Sequence, residues 1–388
     1  MIDGFVSWIV CCSGMLLLWG WVGYPFWVCW LAERQKKKDS SNVSGNRRPE
    51  SLSVVIAAYN EEDMIEERIR NILQVAPDGL EMEIIVVSDH STDRTVERAL
   101  SIKYQNLHVL ENSGERGRAS AHNLAMQHTS GELLVFTDAE TRFQHGFFEA
   151  LLAHFADPHV GVVTGKLEFL YDAKDGVQSA SGGIYWTYEQ RLLHCESQAG
   201  VMFCGSGACL AVRRNLCSQM PPHGDVDFTL PLRAIRAGYR CAYAKDALAF
   251  DHSPPNPDSE YRSRVRMVSQ NLRGIIEEWS FCDWRKHKYS FAIISHKLLR
   301  WFSPYLLGGI FFGAMLKTAE SPVSSWGVFF VIQAIVLGVA VYGAVAGGSN
   351  LATRLYAFLL ANMAFAVGVW RGVLNQAPKS YSPTRTLG

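Results

Sequence analysis

Apolar positions along the chain fall into three regimes. From Gly4 to Ala32 no side chain is charged. A run that long exceeds the roughly 20 residues that cross a bilayer, so it predicts a membrane anchor over residues 1–32. Its five tryptophans, Trp8, Trp19, Trp21, Trp27 and Trp30, suit the membrane–water interfaces. A secretory signal peptide would put basic residues ahead of a short apolar core. Here Arg34, Lys36, Lys37 and Lys38 follow it, which by the positive-inside bias puts the next domain in the cytoplasm. Residues 33–50 read as a basic, polar linker.

The middle regime, residues 51–280, alternates short β-branched runs with stretches of helical period. Leu52 to Ala58 and Glu83 to Val87 read as strands. Between them, Glu61 to Gln74 carries Met64, Ile65, Ile69, Ile72 and Leu73 near helical spacing. That is a βαβ unit, whose strands are parallel. A second helix is expected from Thr92 or Asp93 to about Ile102, a third strand over His108–Leu110, a third helix over Ala119–Gln127 and a fourth strand over Leu133–Thr137. The alternation predicts an α/β domain with a doubly wound parallel sheet. It has neither the G-x-G-x-x-G turn of a dinucleotide fold nor a P-loop, so bound phosphates would be held by side chains and metal.

The third regime begins after Leu298, with candidate spans at about 301–316, 326–346 and 351–370. Pro304 interrupts the first, and Lys286, Lys288, His296, Lys297 and Arg300 precede it. Residues 281–300 therefore read as an interfacial amphipathic segment. Two or three membrane helices fit residues 301–374, with 375–388 as a tail.

Acids and bases balance at 37 each, which removes any global basic field for nucleic acid. Nine cysteines without C-x-x-C spacing read as reduced thiols.

Polar groups collect where the strands end, the place where open α/β sheets bind ligands. They are Tyr59-Asn60-Glu61, Ser88 to Asp93, Gly114 to Arg118, and the pair Asp138 and Glu140. Two carboxylates one residue apart at a strand tip suit a hard divalent cation with a polyphosphate. Arginines suit the phosphate itself.

In that order and spacing, SVVIAAYNEE, EIIVVSDHSTDRT, GERGRASAHN and GELLVFTDAETRF resemble family 2 glycosyltransferases of the GT-A fold. The likeness extends through GSGACLAVRR and VDFTLPLRAIRAGYR, covers about residues 52–273, and leans toward membrane-bound polysaccharide and glycolipid synthases. It implies a mixed doubly wound sheet with membrane helices at both ends. It also implies that Tyr59, Glu61 and Asp89 surround the uracil and ribose of a UDP-sugar. Arg118, at the usual lysine position, and Arg116 would approach the diphosphate. Asp138 and Glu140, in place of Asp-x-Asp, would hold Mg²⁺ or Mn²⁺; the Glu adds a methylene. Counting back from Gly238-Tyr239-Arg240, the catalytic base falls on Asp227, with Val226 where an acidic residue normally precedes it. Asp225 is the nearest other carboxylate, and the spacing on a helix start points the two apart. The alternative for Asp227 is an N-cap of a helix over Phe228–Ala237. Gly205, Ser206 and Gly207 match an acceptor-side loop, or a tight turn. Tyr185, Trp186 and Tyr188 fit either the sugar path or core packing. Arg262, Arg264 and Arg266 fit either the diphosphate or a headgroup-facing surface. The Gln-x-x-Arg-Trp ending of processive synthases is met only partially, by Arg300-Trp301, and Gln270 to Arg273 is followed by Gly274.

The resulting expectation is an inverting, metal-dependent transfer of one sugar from a UDP-sugar to a lipid-linked or saccharide acceptor at a cytoplasmic (inner) membrane face. Membrane lipids would be partners. Two rivals stay open: transfer onto a polyprenyl phosphate, and a non-catalytic nucleotide-sensing membrane protein.

Overall fold

The β-branched runs pair side by side because each is apolar on both faces and can be covered only from both sides. The computed structural model describes residues 2–36, 49–170, 176–252, 257–281, 283, 286–346 and 351–378. Lys37, Lys38, Lys379 and Arg385 lie outside them, as does the side chain of Tyr185.

The chain opens with α1 (Ile2–Leu18), a π-helical turn (Trp19–Gly23) and α2 (Tyr24–Lys36). Next come β1 (Ser51–Ala58), α3 (Ile65–Gln74), β2 (Glu81–Ser88), α4 (Thr95–Leu100), β3 (Leu107–Glu111), α5 (Arg118–Gln127) and β4 (Leu133–Thr137). The second half of the domain holds β5 (Arg142–Phe143), α6 (Phe147–Leu152), β6 (Val160–Leu170), α7 (Gly176–Gln198), β7 (Leu210–Arg213), α8 (Val226–Arg236), β8 (Arg240–His252) and α9 (Pro257–Glu278). It continues as α10 (His287–Ala292), a π-helical turn (Ile293–Leu298), α11 (Leu299–Trp301), α12 (Ser303–Glu320), α13 (Ser325–Ala346) and α14 (Leu351–Val373).

Eight strands form one sheet in the order β3-β2-β1-β4-β7-β6-β8-β5. The first four are parallel to one another, as the βαβ pattern predicts. β7 runs antiparallel to both β4 and β6, so the sheet is mixed. All five residues of β4 are buried. Val55, Val87 and Phe136 pack into one apolar layer and Ile56, Ile84 and Val135 into the other. The β1–β4 pairing sets the tips of these strands, and the chemistry that follows them, side by side.

At the N-terminal end the helix divides by surroundings. Phe5, Trp8, Met15 and Leu18 of α1 are exposed, whereas Tyr24, Val28 and Ala32 of α2 are buried in the domain's core. The helix thus runs past the expected anchor boundary at residue 32, because its second half docks on α7. Cys29 of α2 and Cys195 of α7 are joined by a disulfide, with Cα atoms 4.8 Å apart, which corrects the expectation of reduced thiols throughout. Helix-to-helix contact across 166 residues of chain brings the two into bonding range, and sequence spacing carries no trace of it.

Pro304 does not interrupt α12 but starts it, at the first turn, where a missing N–H costs nothing. α12 lies antiparallel to α1. A Cβ on Gly20 would meet Leu299, one on Gly309 would meet Ser13, and one on Gly313 would meet Val10 at 2.4 Å. Small residues at such seams are how membrane helices approach closely. Helices over Gly4–Gln35, Ser325–Val345 and Leu351–Val373 are long and apolar enough to cross a membrane.

Two basic residues expected to face headgroups are instead buried. His296 bonds Glu189 through Nε2 (2.9 Å) and Glu196 through Nδ1 (2.8 Å), and Tyr24 donates to Glu196 (2.6 Å). Arg300 donates to Glu189 (2.9 Å) and to Tyr188 (2.8 Å), and Lys297 also pairs with Glu189. Buried charge persists only when paired, and α7 supplies the carboxylates. Tyr188 in turn donates to the Trp21 carbonyl (2.8 Å) and Trp186 to the Leu167 carbonyl (2.5 Å), so both are packing groups here.

Candidate active site

β1 and β2 end in two residues with left-handed backbones, Asn60 (φ 55°) and His90 (φ 64°). Such strain in non-glycine residues persists only where the surroundings hold it. Here the two loops are zipped together. The Asn60 N–H donates to Ser91 (3.1 Å), Asn60 Oδ1 accepts from the Thr92 N–H (2.8 Å), and the Glu61 N–H donates to Thr95 (2.8 Å). Asp93 Oδ1 accepts the Thr95 N–H (3.0 Å) from one residue outside the N-cap of α4, which is Arg94.

Asp89, 7% exposed, follows β2. Asn112 donates to its Oδ1 (2.7 Å) and the Gly117 N–H to its Oδ2 (2.9 Å). Gly117 adopts φ 152° just before α5, a conformation that suits glycine. These bonds anchor the Gly114–Arg118 loop over the strand tips. The Arg116 guanidinium lies over the Tyr59 ring at 3.8 Å, a cation–π contact. Arg118 forms an ion pair with Asp138. The face expected for a base and a carboxylate expected for metal are therefore each covered by an arginine of one loop. Asn112 was not legible as a site residue; its role comes only from contact with Asp89.

Glu140 is partly exposed and makes no hydrogen bond or ion pair among the described residues. No group of three or more His, Cys, Asp or Glu side chains poised for a metal ion occurs among the described residues. Two hard carboxylates are nevertheless a fitting set for Mg²⁺ or Mn²⁺, which take few protein ligands and complete their shells with phosphate and water.

Asp227 sits in the first turn of α8, two residues after Asp225, which occupies the N-cap position without a side-chain capping bond. The helix therefore starts earlier than expected and Asp227 is not its cap. Asp227 is partly exposed as a residue, yet its Oδ1 is sealed from solvent and has no hydrogen-bond partner; the same holds for Asp225 Oδ1. Burial, followed by the charge of Asp225, pushes the Asp227 carboxyl well above the usual carboxylate range. Arg118, the Gly207 N–H and Arg266 pull the other way. Asp225 therefore acts on Asp227 through its charge. Of the α9 arginines, Arg264 pairs with Glu260 (2.6 Å), while Arg266 is the one whose charge reaches Asp227.

The Gly205–Gly207 loop is fitted to this carboxylate. The Gly205 N–H donates to the Asp227 carbonyl (2.9 Å) and the Ser206 N–H to Thr164 (3.0 Å). A Cβ on Gly207 would sit 2.4 Å from Asp227 Oδ1. Only glycine leaves that oxygen its place.

Chemically, the arrangement combines a carboxylate pair, two arginines and a further carboxylate of high proton affinity. Residues 53–220 match the family model described as Glycosyl transferase family 2. Glycosyltransferase AglE of Haloferax volcanii is 27% identical over 237 residues, 59% of this chain and 74% of that protein. A poly-β-1,6-N-acetyl-D-glucosamine synthase of Staphylococcus aureus is 32% identical over 132 residues, 34% of this chain and only 31% of the synthase. Among solved structures, mannosyltransferase PcManGT from Pyrobaculum calidifontis, in complex with GDP-Man and Mn²⁺, superposes with a TM-score of 0.69 at 20% identity, covering 95% of this chain and 99% of that one. At that identity the likeness is one of fold.

Proposed function

Residues 53–220 belong to glycosyltransferase family 2 and take the GT-A fold, and from that premise we propose that the protein transfers a sugar, with inversion, from a UDP-sugar to a saccharide or lipid-linked acceptor at a membrane face. The product would enter polysaccharide or glycolipid synthesis. One observation carries this reading: Arg118 pairs with Asp138 and its charge is felt at Asp227. This supports reading the carboxylate pair, the phosphate-seeking arginine and the carboxylate of high proton affinity as parts of one site.

In this reading Asp227 accepts the proton of the acceptor hydroxyl as its oxygen attacks the anomeric carbon, and Gly207 leaves room for that oxygen. A group with raised pKa is a better proton acceptor once ionised, which is what general-base catalysis asks for. Arg118 and Arg116 would turn from Asp138 and Tyr59 to the diphosphate, exchanging one anionic or aromatic partner for another at little cost. Asp89 holds the loop that carries them. Asp138 and Glu140 would hold Mg²⁺ or Mn²⁺, which when bound supplies positive charge to the departing diphosphate. Direct displacement at that carbon inverts it. The apolar helices and the α1–α12 seam support a multi-pass setting in the cell (inner) membrane with the catalytic domain on the cytoplasmic side, where a lipid-linked acceptor meets a soluble donor.

The test is nucleotide release by the detergent-solubilised protein from a panel of UDP-sugars and GDP-mannose, supplied with membrane lipid extract as acceptor. Mn²⁺, Mg²⁺ and EDTA arms run beside an Asp227→Asn control. Release that needs metal and is lost in the control is the expected result and names the donor. Nucleotide binding with no release from any donor would overturn the reading in favour of a sensing protein.

A further inference from the structure

The largest fully buried side chain of the domain is a charged one, Arg68 of α3, with 0% exposure. It lies on the face of α3 that carries Ile65, Ile69 and Ile72, all buried. Burying an arginine there costs several kcal/mol unless its donors are used. Nη2 donates to Thr137 Oγ1 (2.7 Å) and Nη1 to Asn71 Oδ1 (2.6 Å), while the guanidinium lies over the Phe143 ring at 4.0 Å and its Nε is left without a hydrogen-bond partner.

These partners bracket the carboxylate pair. Thr137 immediately precedes Asp138 and Phe143 follows Glu140 by three residues. Asn71 closes the far side, accepting the Phe143 N–H (2.8 Å) and donating to the Phe143 carbonyl (3.0 Å). Thr137 passes the link onward by donating to the Ala208 carbonyl (2.8 Å) in the segment after Gly207. Arg68 therefore ties α3 to both ends of the carboxylate turn and, through one hydroxyl, to the loop fitted around Asp227.

We propose that Arg68, acting with Asn71, is a positioning residue for the Asp138–Glu140 turn and sets the affinity of that turn for the divalent cation; this rests on the metal reading above. A turn that offers only two protein carboxylates gains affinity from holding them in place before the ion arrives. Groups that orient metal ligands without touching the ion typically change affinity by about 10- to 100-fold when removed.

The experiment is a titration of the full-length, detergent-solubilised protein with Mn²⁺ in the presence of UDP, free Mn²⁺ being read by electron paramagnetic resonance, alongside thermal melting. Arg68→Met is expected to weaken Mn²⁺ binding by about tenfold or more. Arg68→Lys should fall between it and wild type, since an ammonium can donate to Thr137 but cannot lie flat on Phe143 while bridging two acceptors. Thr137→Val, which removes one hydroxyl and keeps the volume, should weaken binding in the same direction, and it decides the matter if Arg68→Met does not fold. Mn²⁺ affinity within about twofold of wild type in these variants, with only the melting temperature lowered, would overturn the proposal and leave Arg68 a packing residue. A wild-type protein that binds no Mn²⁺ would instead overturn the metal reading, and this inference with it.

Discussion

Asp89 and Asp227 are both carboxylates near the ends of core elements, and their surroundings treat them in opposite ways. Asp89 receives a donor on each oxygen, from Asn112 and the Gly117 N–H. Asp227 keeps Oδ1 sealed and unpartnered, with Asp225 beside it. The proposed donor side is thus satisfied without a ligand, Arg116 resting on Tyr59 and Arg118 on Asp138. At Asp227, burial and then the charge of Asp225 raise the proton affinity of a carboxyl whose Oδ1 has no hydrogen-bond partner. A carboxylate bonded like Asp89 would be a good anchor and a poor base. One left like Asp227 is the reverse, which is the pattern by which functional groups are found.

The largest effect expected is that of Asp227→Asn, which should lower kcat by about 10²- to 10⁴-fold, the range of a lost general base. It should also raise the melting temperature near neutral pH. The native state raises the proton affinity of Asp227, so its contribution favours folding below the ordinary carboxylate range. That contribution is lost as pH rises through the folded pKa. Above it the buried charge destabilises, and the neutral amide removes that term. Melting curves from acid to neutral pH should show the variant gaining on wild type as pH rises; a variant less stable at neutral pH would contradict the assigned environment.

Next in size is Gly207→Ala. Its Cβ would fall 2.4 Å from Asp227 Oδ1, so the loop or the carboxylate must move, at about 1–3 kcal/mol for overpacking. A displacement of that order costs up to about 10²-fold in rate. The loss should appear in kcat with donor KM nearly unchanged, since the added Cβ meets Asp227 and Val226 and neither Asp89 nor Arg118.

Arg118→Ala tests the donor half. Losing a charge-assisted contact to the diphosphate should raise donor KM by about tenfold. It also frees Asp138, so Mn²⁺ binding without nucleotide should tighten. Calorimetric titration in the absence of donor separates the two, and weaker metal binding would show that the Arg118–Asp138 pair supports the site rather than covering it.

The legible parts of the fold share a physical cause. Strands β1, β2 and β4 show as apolar runs because they are buried on both faces, and α3 shows through Ile65, Ile69 and Ile72. β7, four residues long, and β8, rich in alanine and shifted in register against β6, carry no such signal and depend on neighbours for their shape. The strand-tip residues were readable because ligand chemistry has its own vocabulary. Arg68 left a visible trace, a charge on an apolar helix face, whose meaning needed Thr137 and Phe143 beside it. Cys29–Cys195 left none.

The smallest change at optimum pH, and the sharpest for the comparison, is expected from Asp225→Asn. If Asp227 is the base, Asp225 acts on it only through charge. Removing that charge lets the Asp227 carboxyl relax toward its ordinary range while burial still holds it above. The acid limb of kcat/KM reports the ionisation of an essential base in the free enzyme, so in wild type it should lie above the usual carboxylate range. In Asp225→Asn it should move to lower pH, with the plateau nearly unchanged. The sign follows from the identity of the neighbour: a like charge withdrawn makes ionisation easier, so activity survives further into acid. Were Asp225 itself the base, the same variant would lose the plateau and Asp227→Asn would keep it. The two pH profiles, measured side by side, therefore assign the proton to one of two carboxylates two residues apart.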